Sequence, residues 1–192
     1  MKKIFLALVT GTVLTGVILL SSCQKSDNII APLKADTSVV AVNFSTSSPY
    51  AFFSFKNNTV VANTDSISSN WDFGLRLTTF LVNSNTSGPG NAGVIMQDGI
   101  FYNIVSAPAT GYAYDTASNK LAIKDGSWYN YNITTHAFAP IPGKVFIFHT
   151  ADGHYAKMEI LEVTYEPFVG PVPVKIDYKI RFMYQANGAT SF

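Results

Sequence analysis

Alternating apolar and polar positions predict β-strands along most of the chain. The clearest case covers residues 174–184, where a strict period of two places apolar side chains at the even-numbered positions. Such a period puts one face of a strand against a core and the other face in water. Residues 144–148 and 155–165 are predicted strands on either side of a turn at residues 151–153, where Asp and Gly supply the backbone geometry of a reversal.

The N-terminal half has the same strand-and-turn composition. Residues 38–44 and 50–55 are predicted strands, and residues 71–82 (WDFGLRLTTFLV) are predicted as one long strand with a bulge at Gly74. Residues 100–105 are expected to continue the sheet. No long segment shows helical periodicity with caps. The pattern predicts an all-β protein with a single, mostly antiparallel β domain.

Two stretches of turn-forming residues interrupt this pattern. Residues 83–93 (NSNTSGPGNAG) contain small, polar and helix-breaking residues and predict a loop. A loop of this length is either a solvent-exposed connection or a functional segment, and the sequence leaves both interpretations open. Residues 167–173 (PFVGPVP) predict a rigid turn or hairpin tip.

The N-terminus has the features of a bacterial lipoprotein. Lys2 and Lys3 precede an apolar run over residues 4–20, and Leu-Ser-Ser-Cys follows, ending at Cys23. A charged start, an apolar run and small residues before a cleavage point form a secretory signal peptide. We therefore predict a signal peptide over residues 1–22, a lipidated Cys23 with a flexible tether over residues 23–36, and a β domain over residues 37–192.

Charge and motif content exclude several function classes. Removal of Lys2 and Lys3 lowers the basic residues from 13 to 11 against 12 acidic residues, so the net charge changes from +1 to −1. The chain has no basic patch, which argues against nucleic acid as a partner and leaves the lipid as the means of membrane attachment. It contains no Gly-x-Ser-x-Gly elbow, phosphate loop or zinc-protease motif, so we predict that the protein is not an enzyme.

His136 is the best candidate for a metal or haem ligand. It is predicted to lie in a proline-stiffened loop among the aromatic residues Tyr129, Tyr131 and Phe138. Haem iron takes His, Met or Tyr as axial ligands, and aromatic groups pack on the porphyrin, so these residues with Met96 are a candidate haem pocket. The alternative is that His136 is a loop residue without a binding role.

The other two histidines fit structural roles better. His149 lies at a predicted strand end and His154 follows a turn glycine. A zinc site requires three or four ligands at defined spacing, and these scattered histidines do not show one.

Several motifs resemble the HmuY family of haem-binding bacterial lipoproteins over residues 50–184. They are Asn70-Trp71-Asp72, the loop at residues 87–93, Trp128-Tyr129, and the turn at residues 150–153 leading into Ala156-Lys157. The resemblance implies an all-β fold with haem held between projecting hairpins. It also implies a lipoprotein of the outer membrane, exposed at the cell surface, that takes haem from host haemoproteins for iron acquisition. Such a protein passes haem to an outer-membrane haem transporter.

The sequence departs from the family at the ligand positions. In the family, one ligand lies in a long hairpin upstream of the tryptophan that matches Trp128. Residues 112–127 are shorter here and contain no histidine or methionine, and His136 lies three residues beyond the position of the second family histidine. Two functions therefore stay open: haem binding, or the same scaffold binding a protein partner or glycan.

Overall fold

Thirteen strands and two short 3₁₀ helices make up the part of the chain described by the computed structural model, residues 32–44, 50–169 and 172–192. The strands are β1 (Leu33–Asn43), β2 (Ala51–Ser54), β3 (Thr59–Val61), β4 (Phe73–Arg76), β5 (Thr79–Val82), β6 (Gly93–Asp98), β7 (Tyr129–Asn132), β8 (Ala137–Pro140), β9 (Lys144–His149), β10 (Tyr155–Tyr165), β11 (Phe168–Val169), β12 (Val172–Pro173) and β13 (Lys175–Gln185). The 3₁₀ helices are Asn63–Asp65 and Phe101–Asn103.

The strands form two main sheets and two small hairpins. A five-stranded sheet has the order β1-β13-β10-β9-β6, and a four-stranded sheet has the order β3-β2-β4-β5. β7 pairs with β8 and β11 pairs with β12, and every ladder between these strands is antiparallel. The predicted all-β, antiparallel architecture is confirmed.

β13 lies between β1 and β10 and follows the predicted alternation. Ile176, Tyr178 and Ile180 are buried, while the residues between them are half-buried. Each fully buried apolar side chain of this size stabilises the fold by about 1.5–3 kcal/mol relative to its exposed state. The alternation therefore fixes the register of β13 strongly, since a slip by one residue would move this face into water.

An aromatic core joins the two main sheets. Phe55, which follows β2, packs on Phe148 of β9 with ring centroids 4.9 Å apart. Phe53 packs on Phe182 of β13 at 5.8 Å, and Phe80 of β5 stacks on a ring of β9 at 5.0 Å. The rings adopt tilted, edge and offset geometries, which aromatic pairs prefer.

Residues 71–82 form a hairpin rather than the predicted single strand. β4 and β5 are separated by a turn at Leu77, whose φ angle is 48°, and Thr78. Distant side chains stabilise this turn, because Tyr178 donates from Oη to the Leu77 carbonyl at 2.6 Å and Trp128 donates from Nε1 to the Thr78 carbonyl at 3.2 Å. Gly74 pairs in register instead of forming a bulge, and the ring of Phe52 lies over it.

Residues 100–105 are not a strand either. Phe101–Asn103 is a 3₁₀ helix, and Lys157 of β10 anchors it by donating from Nζ to the carbonyls of Phe101 at 2.9 Å and Ile104 at 2.6 Å. The ammonium group also lies 4.6 Å from the centroid of the Phe101 ring. Burial lowers the pKa of Lys157. Residues 112–114 and 120–123 contain only isolated bridges, at Ala113 and Lys120.

The N-terminal predictions lie mostly outside the described residues. The signal peptide over residues 1–22 and the lipidation site Cys23 are among the residues that are not described. β1 begins at Leu33, so the five-stranded sheet includes the last residues of the predicted tether. Across residues 32–44, 50–169 and 172–192, no helix has the length and apolar character needed to cross a membrane.

Candidate functional site

The β7–β8 hairpin carries most of the residues that the sequence singles out. Tyr131 of β7 pairs with Phe138 of β8. At the turn, the Asn132 side-chain oxygen accepts hydrogen bonds from the backbone N–H groups of Thr134 at 2.9 Å and Thr135 at 3.1 Å. His136 closes the turn with a φ angle of 54°. The predicted proline-stiffened loop is thus a compact hairpin turn, with Phe138 inside a strand.

Phe138 fastens this hairpin to the body of the protein. Its ring is buried and makes edge-on contacts with Trp128 at 5.8 Å and with Tyr165 of β10 at 5.6 Å. The Tyr165 hydroxyl accepts from the Phe138 N–H at 2.8 Å and donates to the Phe138 carbonyl at 2.6 Å. Burial raises the pKa of Tyr165, although the hydrogen bond to the Phe138 backbone opposes that rise. The hairpin is therefore held against β10 by one side chain that serves as both donor and acceptor.

A groove of about 540 Å³ lies between the hairpin and β10. We call it the hairpin groove, and its lining residues are Asn130, Tyr131, Asn132, Thr135, Ala137, Phe138, Ala139, Val163 and Tyr165. Its volume falls in the range of small-molecule sites. Val163 and the aromatic rings of Phe138 and Tyr165 give it apolar surface, and the side-chain amides of Asn130 and Asn132 border it.

Tyr131 and His136 form a hydrogen-bonded pair beside the groove. The Tyr131 hydroxyl lies 2.8 Å from Nδ1 of His136. Tyr131 is 54% exposed and belongs to the lining, whereas His136 is exposed and is not among the described lining residues. A phenol and an imidazole in contact offer two donor atoms that bind iron.

The structure separates the remaining predicted pocket residues from this pair. The ring of Tyr129 packs on Trp128 and Phe138, and its hydroxyl donates to Asp125, so it supports the base of the hairpin. Met96 lies in β6 of the five-stranded sheet, paired with Phe146. Tyr131 and Phe138 meet in the groove, while Tyr129 and Met96 are absent from its described lining. The roles assigned to these residues stay predictions.

Val163 and Tyr165 are lining residues that sequence reasoning missed. The apolar–polar alternation at the end of β10 predicts that both side chains lie on one face of the strand. It does not predict which part of the protein packs against that face. Tyr165 meets Phe138 across 27 residues of sequence, and no local pattern reports such a contact.

The other histidines sit in separate surroundings. Nδ1 of His149 lies 3.3 Å from the carbonyl oxygen of Asn91, and its ring packs near Tyr155 at 5.5 Å. Nδ1 of His154 lies 3.1 Å from a carboxylate oxygen of Asp152. Within the described ranges, no group of three or more His, Cys, Asp or Glu side chains could hold a metal ion.

A second cleft, of about 320 Å³, lies where two of the quoted motifs meet. Asp72 is buried there, and its two carboxylate oxygens accept from the N–H groups of Phe55 at 2.8 Å and Ala151 at 2.9 Å. Burial raises the pKa of Asp72 to about 7, against the effect of those two hydrogen bonds. A single carboxyl group thus connects the four-stranded sheet to the β9–β10 turn.

Asp152 lies in the same turn and accepts hydrogen bonds from several donors. Its oxygens accept from the hydroxyls of Thr150 at 2.6 Å and Tyr184 at 2.7 Å, and the Lys56 ammonium is 3.7 Å away. Partial burial opposes ionisation, but the hydrogen bonds from Thr150, Tyr184 and His154 lower the pKa of Asp152 overall. Burial and this carboxylate raise the pKa of Tyr184. We call the set Asp72, Ala151, Asp152 and Tyr184 the carboxylate joint, since its polar atoms bond to each other and to the backbone.

The loop at residues 83–93 packs closely against the same region. The Asn83 side chain donates to the carbonyls of Ser68 at 3.0 Å and Trp71 at 2.7 Å, and accepts from the Gly90 N–H at 2.9 Å. A Cβ atom at Gly88 would lie 2.1 Å from the Asn83 Oδ1 atom and 2.6 Å from the Trp71 ring. The glycines are thus required by close packing, which matches a structural connection better than an open binding loop.

Comparisons with known proteins show likeness at the level of fold. No protein-family model and no curated protein sequence matches the chain. Apo PinO from Porphyromonas gingivitis matches with a TM-score of 0.51 at 13% identity, covering 79% of this chain and 100% of that chain. The apo HmuY analog of Tannerella forsythia matches with a TM-score of 0.46 at 13% identity, covering 81% of this chain and 98% of that chain. A Bacteroides vulgatus protein described as HmuY-like and heme-binding matches with a TM-score of 0.48 at 14% identity, covering 80% and 97%.

The match to apo PinO, with its TM-score of 0.51, shows a shared fold, and the HmuY-like, all-β fold that the sequence predicts is confirmed as a divergent form. At identities of 13–14% the likenesses concern the fold and leave the ligand to be argued from the site.

Proposed function

We propose that the protein is a non-enzymatic, haem-binding surface lipoprotein that captures haem for iron acquisition. The observation that carries the proposal is the hairpin groove, which combines apolar and aromatic walls with the Tyr131–His136 pair at its edge. Flat aromatic and aliphatic surfaces pack on a porphyrin, and phenol or imidazole donors bind its iron. The residues that line and border the groove therefore fit haem.

Each side chain has a definite task in this proposal. Val163 and Tyr165 provide the apolar wall against which a porphyrin face packs, and the buried ring of Phe138 supports Tyr165. The pair provides the iron donor, with His136 as the candidate predicted from the sequence. Tyr129 acts indirectly, because it packs on Phe138. Bound haem supplies the iron that the protein captures, so no chemical step is required of the chain.

The cellular setting follows from the sequence features and the family resemblance. We infer that lipidation at Cys23 anchors the protein in the outer membrane with the β domain at the cell surface. Host haemoproteins are the proposed source of haem, and an outer-membrane haem transporter is the proposed recipient. Metabolic labelling with a fatty-acid analogue, compared between wild type and Cys23→Ala, tests the anchor. Protease treatment of intact cells tests surface exposure.

A hemin titration of the full chain, purified in detergent with a detergent-only blank, tests the binding proposal. We expect a saturable change in the Soret band at one equivalent. Val163→Arg places a permanently charged side chain in the groove. It should weaken hemin binding by at least about tenfold, because arginine stays protonated in proteins. Leu161→Arg is the matched control, because Leu161 lies on the same strand, is 37% exposed and is outside the described lining. Absence of saturable binding down to micromolar hemin would overturn haem binding.

One observation favours the alternative, a protein or glycan partner on the same scaffold. Ile133, at the tip of the β7–β8 hairpin, is 78% exposed, next to the exposed Tyr131. Exposed apolar and aromatic residues of this kind anchor interfaces. A chain that ignores hemin but binds a glycan array or purified host protein, with the affinity lost in Ile133→Ser, would support this alternative.

A further inference from the structure

Two donor atoms stand at the edge of the hairpin groove, and their positions are not equivalent. Tyr131 lines the groove and exposes 54% of its surface. His136 is not among the described lining residues, and its Nδ1 atom faces the Tyr131 hydroxyl at 2.8 Å. A side chain that contacts iron in the groove must itself reach the groove, and of the pair Tyr131 is the one among the described lining residues.

The pairing fixes the position of the Tyr131 hydroxyl. Nδ1 of His136 lies 2.8 Å from the phenol oxygen, so this hydrogen bond holds the Tyr131 side chain in one orientation beside the groove. Tyrosine is an established type of axial haem ligand, and its oxygen matches the positive charge of ferric haem.

The turn does not depend on the side chain of His136. The Asn132 side chain already forms the turn by accepting from Thr134 and Thr135. His136 has a φ angle of 54°, in the left-handed region that glycine, asparagine and histidine adopt more readily than other residues. Its imidazole is therefore not used by the turn and bonds to the Tyr131 hydroxyl.

We propose that Tyr131 is the iron ligand of the hairpin groove and that His136 is the positioning residue that orients its hydroxyl. This inference rests on the proposed function, because it assigns atoms within the same haem site. It differs from the sequence-based choice of His136 as the ligand.

Hemin binding and resonance Raman spectra of the ferric complex, excited in the phenolate-to-iron charge-transfer band, test the assignment on the full chain in detergent. Wild type should show tyrosinate ring vibrations. Tyr131→Phe should lose them and bind hemin more weakly by at least about tenfold, the loss typical of even a supporting residue at a metal site. His136→Asn keeps a residue suited to the left-handed region; it should retain the tyrosinate vibrations, shift the charge-transfer band and weaken binding by about tenfold. Tyr102→Phe is the matched control, since Tyr102 is 55% exposed and outside the described lining.

The possible outcomes separate this assignment from the proposed function. If wild type binds hemin but shows an imidazole-type spectrum that survives in Tyr131→Phe and disappears in His136→Asn, the assignment is overturned and haem binding stands. If wild type shows no saturable binding, the proposed function fails, and the assignment with it. A tyrosinate spectrum that persists in Tyr131→Phe would assign a different tyrosine and would also overturn the inference.

Discussion

The hairpin groove and the carboxylate joint are both built from polar and aromatic side chains, yet they differ in how those side chains are used. In the joint, Asp72 and Asp152 accept hydrogen bonds from within the protein, and Asp72 is buried. In the groove, Tyr131 is 54% exposed and pairs with an exposed histidine. A polar group that is satisfied internally stabilises the fold, whereas one left accessible can be used by a ligand. The contrast assigns stability to the joint and supports the binding role that we propose for the groove.

The strongest test of this contrast is alanine substitution of one aromatic residue in each region, Trp71 beside the joint and Tyr131 at the groove. Trp71 beside the joint is fully buried and packs on Phe52 at 4.5 Å, so Trp71→Ala should lower the free energy of unfolding by about 3–5 kcal/mol. Tyr131→Ala should cost less than about 1 kcal/mol, since half of its surface is already in water. Urea denaturation measures both. Equal losses in the two variants would contradict the division of roles.

Asp72→Asn tests the joint through pH. Burial raises the pKa of Asp72 from its ordinary value of 3.8 to about 7, so between these values the folded state binds the proton that the unfolded chain releases. Wild-type stability should therefore fall as pH rises through this range, by at most about 4 kcal/mol. The variant has no titrating group at this position, so its deficit relative to wild type should shrink as pH rises. Urea denaturation at several pH values measures the difference, and a deficit that grows with pH would contradict the prediction.

Gly88→Ala tests the close packing of the loop at residues 83–93. The added Cβ would lie 2.1 Å from Asn83 Oδ1, so we expect a loss of about 1–3 kcal/mol in unfolding free energy. Gly99→Ala is the control, because the nearest atom to its added Cβ is 3.5 Å away. Thermal denaturation should separate the two variants. If Gly88→Ala matched the control, the loop would be looser than the structure indicates.

His136→Gly gives the smallest expected change in stability. Glycine adopts a φ angle of 54° without strain but is more flexible in the unfolded chain, so the net change should stay within about 1 kcal/mol. Hemin affinity should nevertheless fall, because Tyr131 loses its partner. A large loss of stability with unchanged hemin binding would show that His136 serves the fold rather than the groove.

Local pattern explains which elements could be predicted. The alternation of β13 and the Asp-Gly turn before β10 could be predicted from short stretches of sequence, because the side-chain period and the turn geometry depend on neighbouring residues. The split of residues 71–82 into β4 and β5 was not predictable in this way. Its turn lacks glycine at Leu77 and is stabilised by Tyr178, which lies 101 residues away in the sequence.

The sequence by itself determined that this chain forms antiparallel β structure with an aromatic core, because periodicity and residue type dictate which faces are buried. It also pointed to the Tyr131–Phe138 segment. The tertiary structure alone decided that this segment is a hairpin, that Tyr165 fastens it to β10 and that a groove lies between them. It likewise placed Tyr131 rather than His136 among the described lining residues of the groove. The physical reason is that a groove is a relation between distant surfaces, and no local period records which surfaces will meet.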